Sequence, residues 1–202
     1  IKPGQTLIVL DEIQNAPDAL ASLKYFQEDA SDFHVIAAGS LLGVTLNRAR
    51  SFPVGKVNFL SLYPMTFFEF LAAQGKTELA RHLSELTTIE PLAEVLHNQA
   101  IELLKTYWFT GGMPEAVQCF ADTGSHESVR KIQKEILASY IMDFSKHAPK
   151  EVAIRIMGAW NSLPKQLAKE NKKFKYSLIE SSARSREYES ALQWLQQAGL
   201  IN

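Results

Sequence analysis

A single cysteine, Cys119, stands among 202 residues, so no internal disulfide can form. The five histidines, His34, His82, His97, His126 and His147, are scattered without metal-ligand spacing. A reducing, cytoplasmic setting without structural zinc is the expectation. An excess of one charge is also lacking. The 21 Lys and Arg face 22 Asp and Glu, a formal net charge of -1, which excludes a chain-wide attraction to nucleic acid and leaves only local ones. Long hydrophobic runs are missing too: Val35 to Ala38, and Phe67 to Ala73 with Glu69 interrupting it, are far too short to span a bilayer. A soluble protein with no membrane partner is expected. There is no initiator methionine. Ile1-Lys2-Pro3-Gly4 reads as a turn running straight into an apolar strand, and Gln196 to Asn202 reads as a helix end followed by a new strand. Both ends therefore read as cuts in a longer chain.

At 46% hydrophobic the chain can bury a real core, as one large domain or two small ones. Leu7-Ile8-Val9-Leu10 is uninterrupted and apolar, which suits a strand of a parallel sheet covered by helices on both faces. It stops at Asp11-Glu12. Pro17 occupies a first helical position, Leu20, Leu23 and Phe26 recur at helical spacing up to Asp29, and Phe33 to Ala38 is a second apolar strand closed by Gly39-Ser40. Residues 7–40 thus read as one βαβ unit whose ligand edge lies at the strands' C-terminal ends. Lys56 to Leu62 reads as a third strand, and Thr66-Phe67-Phe68-Glu69 as a capping box opening a short helix that stops at Gly75. From Pro91 the pattern is helical only: Pro91 to Thr110, Pro114 to Ala121, His126 to Lys146, Glu151 to Leu163 and Ser185 to Ala198. A boundary near residues 75–90 follows.

An apolar strand ending in Asp-Glu meets the needs of nucleotide hydrolysis. The first carboxylate, Asp11, holds Mg²⁺, usually through water, and the second, Glu12, orients or deprotonates the attacking water. The bland alternative is a buried strand whose acidic end caps the next turn. Ser40, at the tip of the neighbouring strand, is placed like a sensor of the γ-phosphate or the lytic water, although Gly-Ser is equally ordinary loop chemistry. Arg48, Arg50 and Lys56 follow and would reach a phosphate of the same subunit or of a neighbour in a homo-oligomer, or else are solvated loop cations. The glycine-rich partner loop is absent: no G-x-x-x-x-G-K-[ST] occurs in the chain.

The residues resemble a family, the prokaryotic AAA+ ATPases that carry a C-terminal domain of unknown function numbered 4143. LIVLDEIQ resembles its Walker B strand, HVIAAGSLL its sensor strand and VGKVNFLSLYPMTFFEFL the region that follows. YWFTGGMPEAV, YIMDFSKHA, LAKENKKFKYSLI and YESALQWLQQAGLI continue the likeness over nearly the whole chain. The resemblance implies a P-loop-type α/β core of parallel strands and crossover helices, then a mostly helical region, then the start of a winged helix. Its parts would be residues 1–75, 76–165 and 166–202. It implies ATP and Mg²⁺ as cofactors, Asp11 and Glu12 as the Walker acids and Ser40 as the sensor. The chain departs at Gly55-Lys56, where many relatives carry Gly-Arg; lysine lacks the planar fork that grips phosphate bidentately.

Lys146 to Lys175 holds seven lysines and Arg155 against Glu151 and Glu170, a net +6. Lys169, Lys172, Lys173 and Lys175, with Phe174 and Tyr176 interleaved ahead of a helix, suit contact with duplex DNA phosphates. A solvated cationic surface is the competing reading. Tyr188, Leu192, Trp194 and Leu195 of that helix read mainly as core. Glu170-Asn171-Lys172 spells a nuclease-like E-x-K, discounted because no paired acid accompanies it.

Overall fold

The computed structural model describes residues 1–39, 55–87, 91–171 and 173–201. The chain divides into two compact units, Ile1–Leu60 with Asp143–Asn202, and Ser61–Met142.

In the first unit, β1 (Leu7–Leu10) and β2 (His34–Ala37) pair in parallel, Leu7 opposite His34 and Leu10 opposite Ala37. The crossover is α1 (Pro17–Asp29), which begins on Pro17 because a ring-locked φ and a missing N–H cost nothing in a first turn. α1 buries Leu20 and Leu23 with Ile13, and Leu10, Val35, Ala37 and Val57 pack against that cluster. Each of the three buried side chains, Ile13, Leu20 and Leu23, contributes about 1.5–3 kcal/mol. The other face is bare: Leu7 is 53%, Val9 59% and Ile36 53% exposed. The expectation of a sheet covered on both faces is therefore corrected for the described residues. Side chains alternate across a strand, and the one crossover helix covers one face only.

A second correction concerns Lys56 to Leu62, which joins no ladder among the described residues, where the sheet has two strands. Only Val57 reaches the core, while Leu60 is 87% and Leu62 91% exposed. Apolar content makes a strand only where a neighbour's backbone is available to pair with it.

The same unit holds α7 (Lys150–Leu167) and α8 (Ser185–Gln197), joined through a tight turn at Tyr176–Leu178. Ile156 and Ala159 of α7 and Tyr188, Ala191, Trp194 and Leu195 of α8 are buried. Phe144 meets Trp160 and Trp194 edge-on, each pair 5.5 Å apart between ring centres. Gly158 lets Ile179 and the Tyr188 ring lie close to α7, since a Cβ there would be 3.0 Å from Ile179 Cγ2 and 3.6 Å from the Tyr188 ring. α7 runs four residues past its expected end because Pro164 removes one donor without stopping the turn: its carbonyl still accepts from the Ala168 N–H at 3.1 Å. Gln166, 5% exposed, clamps the loop that follows. Its Oε1 accepts from the Lys175 N–H at 3.0 Å and its Nε2 donates to the Lys175 carbonyl at 2.8 Å.

The second unit contains α2 (Phe67–Ala73), α3 (Thr77–Ser84), α4 (Glu94–Thr110), α5 (Pro114–Thr123) and most of α6 (His126–His147). The capping box is present: the Glu69 N–H donates to Thr66 Oγ1 at 3.3 Å, and the Thr66 N–H donates to Glu69 Oε2 at 2.7 Å. The Thr66 N–H foremost, and then the Thr66 hydroxyl, which donates to Glu69 Oε2 at 2.8 Å, hold the Glu69 carboxyl below its ordinary 4.5. Phe70, Leu71, Leu79, Ala116, Val117 and Val129 form the buried apolar set. Tyr107 stacks obliquely on Phe67 and Phe70 and donates its hydroxyl to the Met65 carbonyl at 2.8 Å. The Met65 N–H donates to the Gly112 carbonyl at 2.7 Å, so close that a Cβ on Gly112 would sit 2.3 Å from Met65 O. Among the described residues no helix is long and apolar enough to cross a membrane.

Candidate functional site

The chain leaves β1 at Leu10 through Asp11 and Glu12, both exposed. Two backbone bonds staple this exit to that of β2: the Ala38 N–H donates to the Leu10 carbonyl at 2.8 Å, and the Ile13 N–H donates to the Ala38 carbonyl at 3.0 Å. Ile13, 2% exposed, anchors the turn in the core. Between these anchors Glu12 adopts φ 50°, ψ 41°, the one left-handed non-glycine among the described residues. A Cβ in that region meets the neighbouring carbonyl and costs roughly 1–2 kcal/mol. Such strain persists where surrounding structure enforces it, and an outlier of this kind is a pointer to function.

The acids are organised locally. Asp11 Oδ1 accepts the Glu12 N–H at 3.0 Å, and among the described residues its second oxygen has no partner. Glu12 Oε2 accepts a hydrogen bond from Gln14 Nε2. Among the described residues no group of three or more His, Cys, Asp or Glu side chains gathers to hold a metal. A single exposed carboxylate with a spare oxygen fits Mg²⁺, which keeps several waters and takes its remaining ligands from phosphates. It does not fit a closed, all-protein metal cage.

The structure brings Asp11 and Glu12 together beside the exit of β2. Ser40, Arg48 and Arg50 lie outside the described residues, as does Lys172. Lys56 is engaged elsewhere, its Nζ 3.3 Å from the Glu28 carboxylate of α1. Of the C-terminal lysines, Lys173 and Lys175 are exposed, while Lys169 donates to Gln166 Oε1 at 3.1 Å and to the Lys173 carbonyl at 2.8 Å. The exposed positions of α8 include Arg186, Glu189, Gln193 and Gln196, a face of mixed charge. Sequence reasoning missed the left-handed backbone of Glu12 and the amide of Gln14. The only available signal was the glutamine two places beyond the acid.

Residues 1–71, which hold the parallel strand pair and the two exposed carboxylates at its end, match the AAA domain. That stretch is thus similar to a P-loop NTPase domain. Residues 101–202, just over half of the chain, match a domain of unknown function (DUF8612), and the chain belongs to that family. The C-terminal domain is accordingly a different one from the domain numbered 4143 that the resemblance suggested. No curated protein and no solved structure matches the chain.

Proposed function

We propose that residues 1–75 supply the Walker B half of an ATP-hydrolysing site, with the glycine-rich phosphate loop outside these 202 residues. The observation that carries this reading is the left-handed Glu12 next to Asp11 at the stapled ends of two parallel strands. Asp11 holds Mg²⁺ largely through water, and Glu12 orients and deprotonates the attacking water. When bound, Mg²⁺ neutralises charge on the phosphate oxygens. Ser40 senses the γ-phosphate, and Arg48 and Arg50 reach a phosphate of the same subunit or of a neighbour in a homo-oligomer. Residues 76–165 form a helical lid, and residues 166–202 begin a winged helix. Hydrolysis drives these parts as a motor or switch, and the 202 residues alone, without a phosphate loop, do not turn over ATP.

In the full-length protein carrying that loop, Glu12→Gln is expected to lower kcat by about 10²–10⁴-fold while ATP still binds. Turnover unchanged in that variant would sink the reading.

A second reading, a DNA-binding or interaction module with a regulatory or vestigial nucleotide site, is favoured by one observation. Lys173 and Lys175 stand exposed on a loop that Gln166 holds in place. The mixed charge on the exposed face of α8 weakens it. Duplex DNA binding that falls steeply with salt, alongside unaltered function without hydrolysis, would move this reading ahead of the first.

A further inference from the structure

We infer that Gln14 is the positioning residue of the hydrolytic acid, an assignment that rests on the ATPase reading above. Its amide Nε2 donates to Glu12 Oε2. A surface glutamine would hold nothing reliably, but Gln14 is half-buried, and its Oε1 is buried with no hydrogen-bond partner among the described residues. Its backbone lies in the short helical turn Ile13–Asn15, which the Ile13 side chain roots in the core and the Ile13 N–H ties to Ala38. The amide is therefore fixed at its base and confined along its length.

The orientation of that amide is set by charge. Rotating it by half a turn would aim Oε1, an acceptor, at the carboxylate, which only accepts. Glu12 thus selects the donor end, and Gln14 in turn selects which carboxylate oxygen is committed. With Oε2 occupied, Oε1 of Glu12 is left to take the proton of an attacking water.

The left-handed backbone of Glu12 and the Gln14 bond are separate restraints on the same acid, one on its Cα and one on its carboxylate. A glutamate side chain otherwise loses several freely rotating bonds each time it must align. A donor from two residues away, within the same turn, keeps it aligned before nucleotide arrives, and fixed geometry of this kind is what proton transfer requires. Gln14 touches neither water nor nucleotide in this scheme and acts through Glu12 alone.

The test uses the full-length protein with its phosphate loop and the near-isosteric Gln14→Met, which fills the same space without a donor. The expected result is a kcat at least about tenfold lower, the scale of losing a hydrogen bond to a charged group. KM for ATP and the thermal unfolding midpoint should stay as in the parent protein. Gln14→Glu, the same size but opposing one carboxylate with another, should lower kcat at least as far. A kcat within twofold of the parent in Gln14→Met, or a loss accompanied by an equal rise in KM or a lowered unfolding midpoint, overturns the assignment. Glu12→Gln is measured in parallel. If it retains turnover, the ATPase reading fails; if it abolishes turnover while Gln14→Met does not, only the role of Gln14 fails.

Discussion

Three residues, Ile13, Leu20 and Leu23, make up the buried core of the βαβ stretch, whereas the helices of residues 61–142 bury Phe70, Leu71, Leu79, Ala116, Val117 and Val129. The first region carries the acids on a strained turn beside a half-bare sheet. The second spends its sequence on close packing, with Tyr107 and Gly112 both tied to the backbone of Met65. Cohesion and chemistry are thus concentrated in different stretches of one chain. A turn that must hold Glu12 in an unfavourable backbone region relies on a few anchors, while the helical unit distributes its stability over many contacts.

The sharpest way to break that contrast is to remove one apolar side chain from each region. Phe70→Ala, emptying a fully buried site, should cost about 3–5 kcal/mol in denaturant unfolding. Val9→Ala on the bare sheet face should change stability by no more than about 0.5 kcal/mol. Similar losses from both would mean that the bare face is covered in solution. The next effect is smaller and of opposite sign. Glu12→Gly removes the Cβ that is strained at φ 50°, and is expected to raise stability by about 1 kcal/mol while abolishing hydrolysis in the full-length protein. A fall in stability would show that the turn is not the reservoir of strain described above.

The smallest effect belongs to the capping box of α2. The folded Glu69 carboxyl is held below its ordinary 4.5 by Thr66, so the folded state binds fewer protons in that range. Its contribution is complete above the ordinary value and is lost as pH falls through the lowered one. Unfolding midpoints of the parent chain and Glu69→Gln should differ near neutral pH and converge as pH falls through the lowered value. A difference that persists in acid would count against a charge-dependent cap.

Much of the fold was legible because it depends on local rules. The four-residue apolar run of β1, Pro17 at the head of α1 and the Thr66–Glu69 box announce themselves through short-range chemistry. α3 did not, because Thr77 to Ser84 is polar apart from a few positions and buries a single residue, Leu79, too few to set a helical period. The unpaired segment at residues 56–62 failed for the converse reason: its side chains are strand-like, but pairing belongs to a neighbour that the segment cannot specify. At the site, Asp11 and Glu12 were legible as residue types. The backbone of Glu12 was not, since left-handed φ at a glutamate is imposed by the Ile13 and Ala38 anchors rather than by its own preference.

The two-stranded sheet has a consequence for the protein in concentrated solution. Among the described residues β1 and β2 pair only with each other, so that within them each presents an outer row of backbone donors and acceptors, next to the apolar face of Leu7, Val9 and Ile36. Open edges of this kind template the addition of further strands. The segment that carries the acids is therefore also the one at which strand addition is expected. Edge pairing and the proposed hydrolytic chemistry would then share the same eight residues from Leu7 to Gln14, and a change made there for one would alter the other.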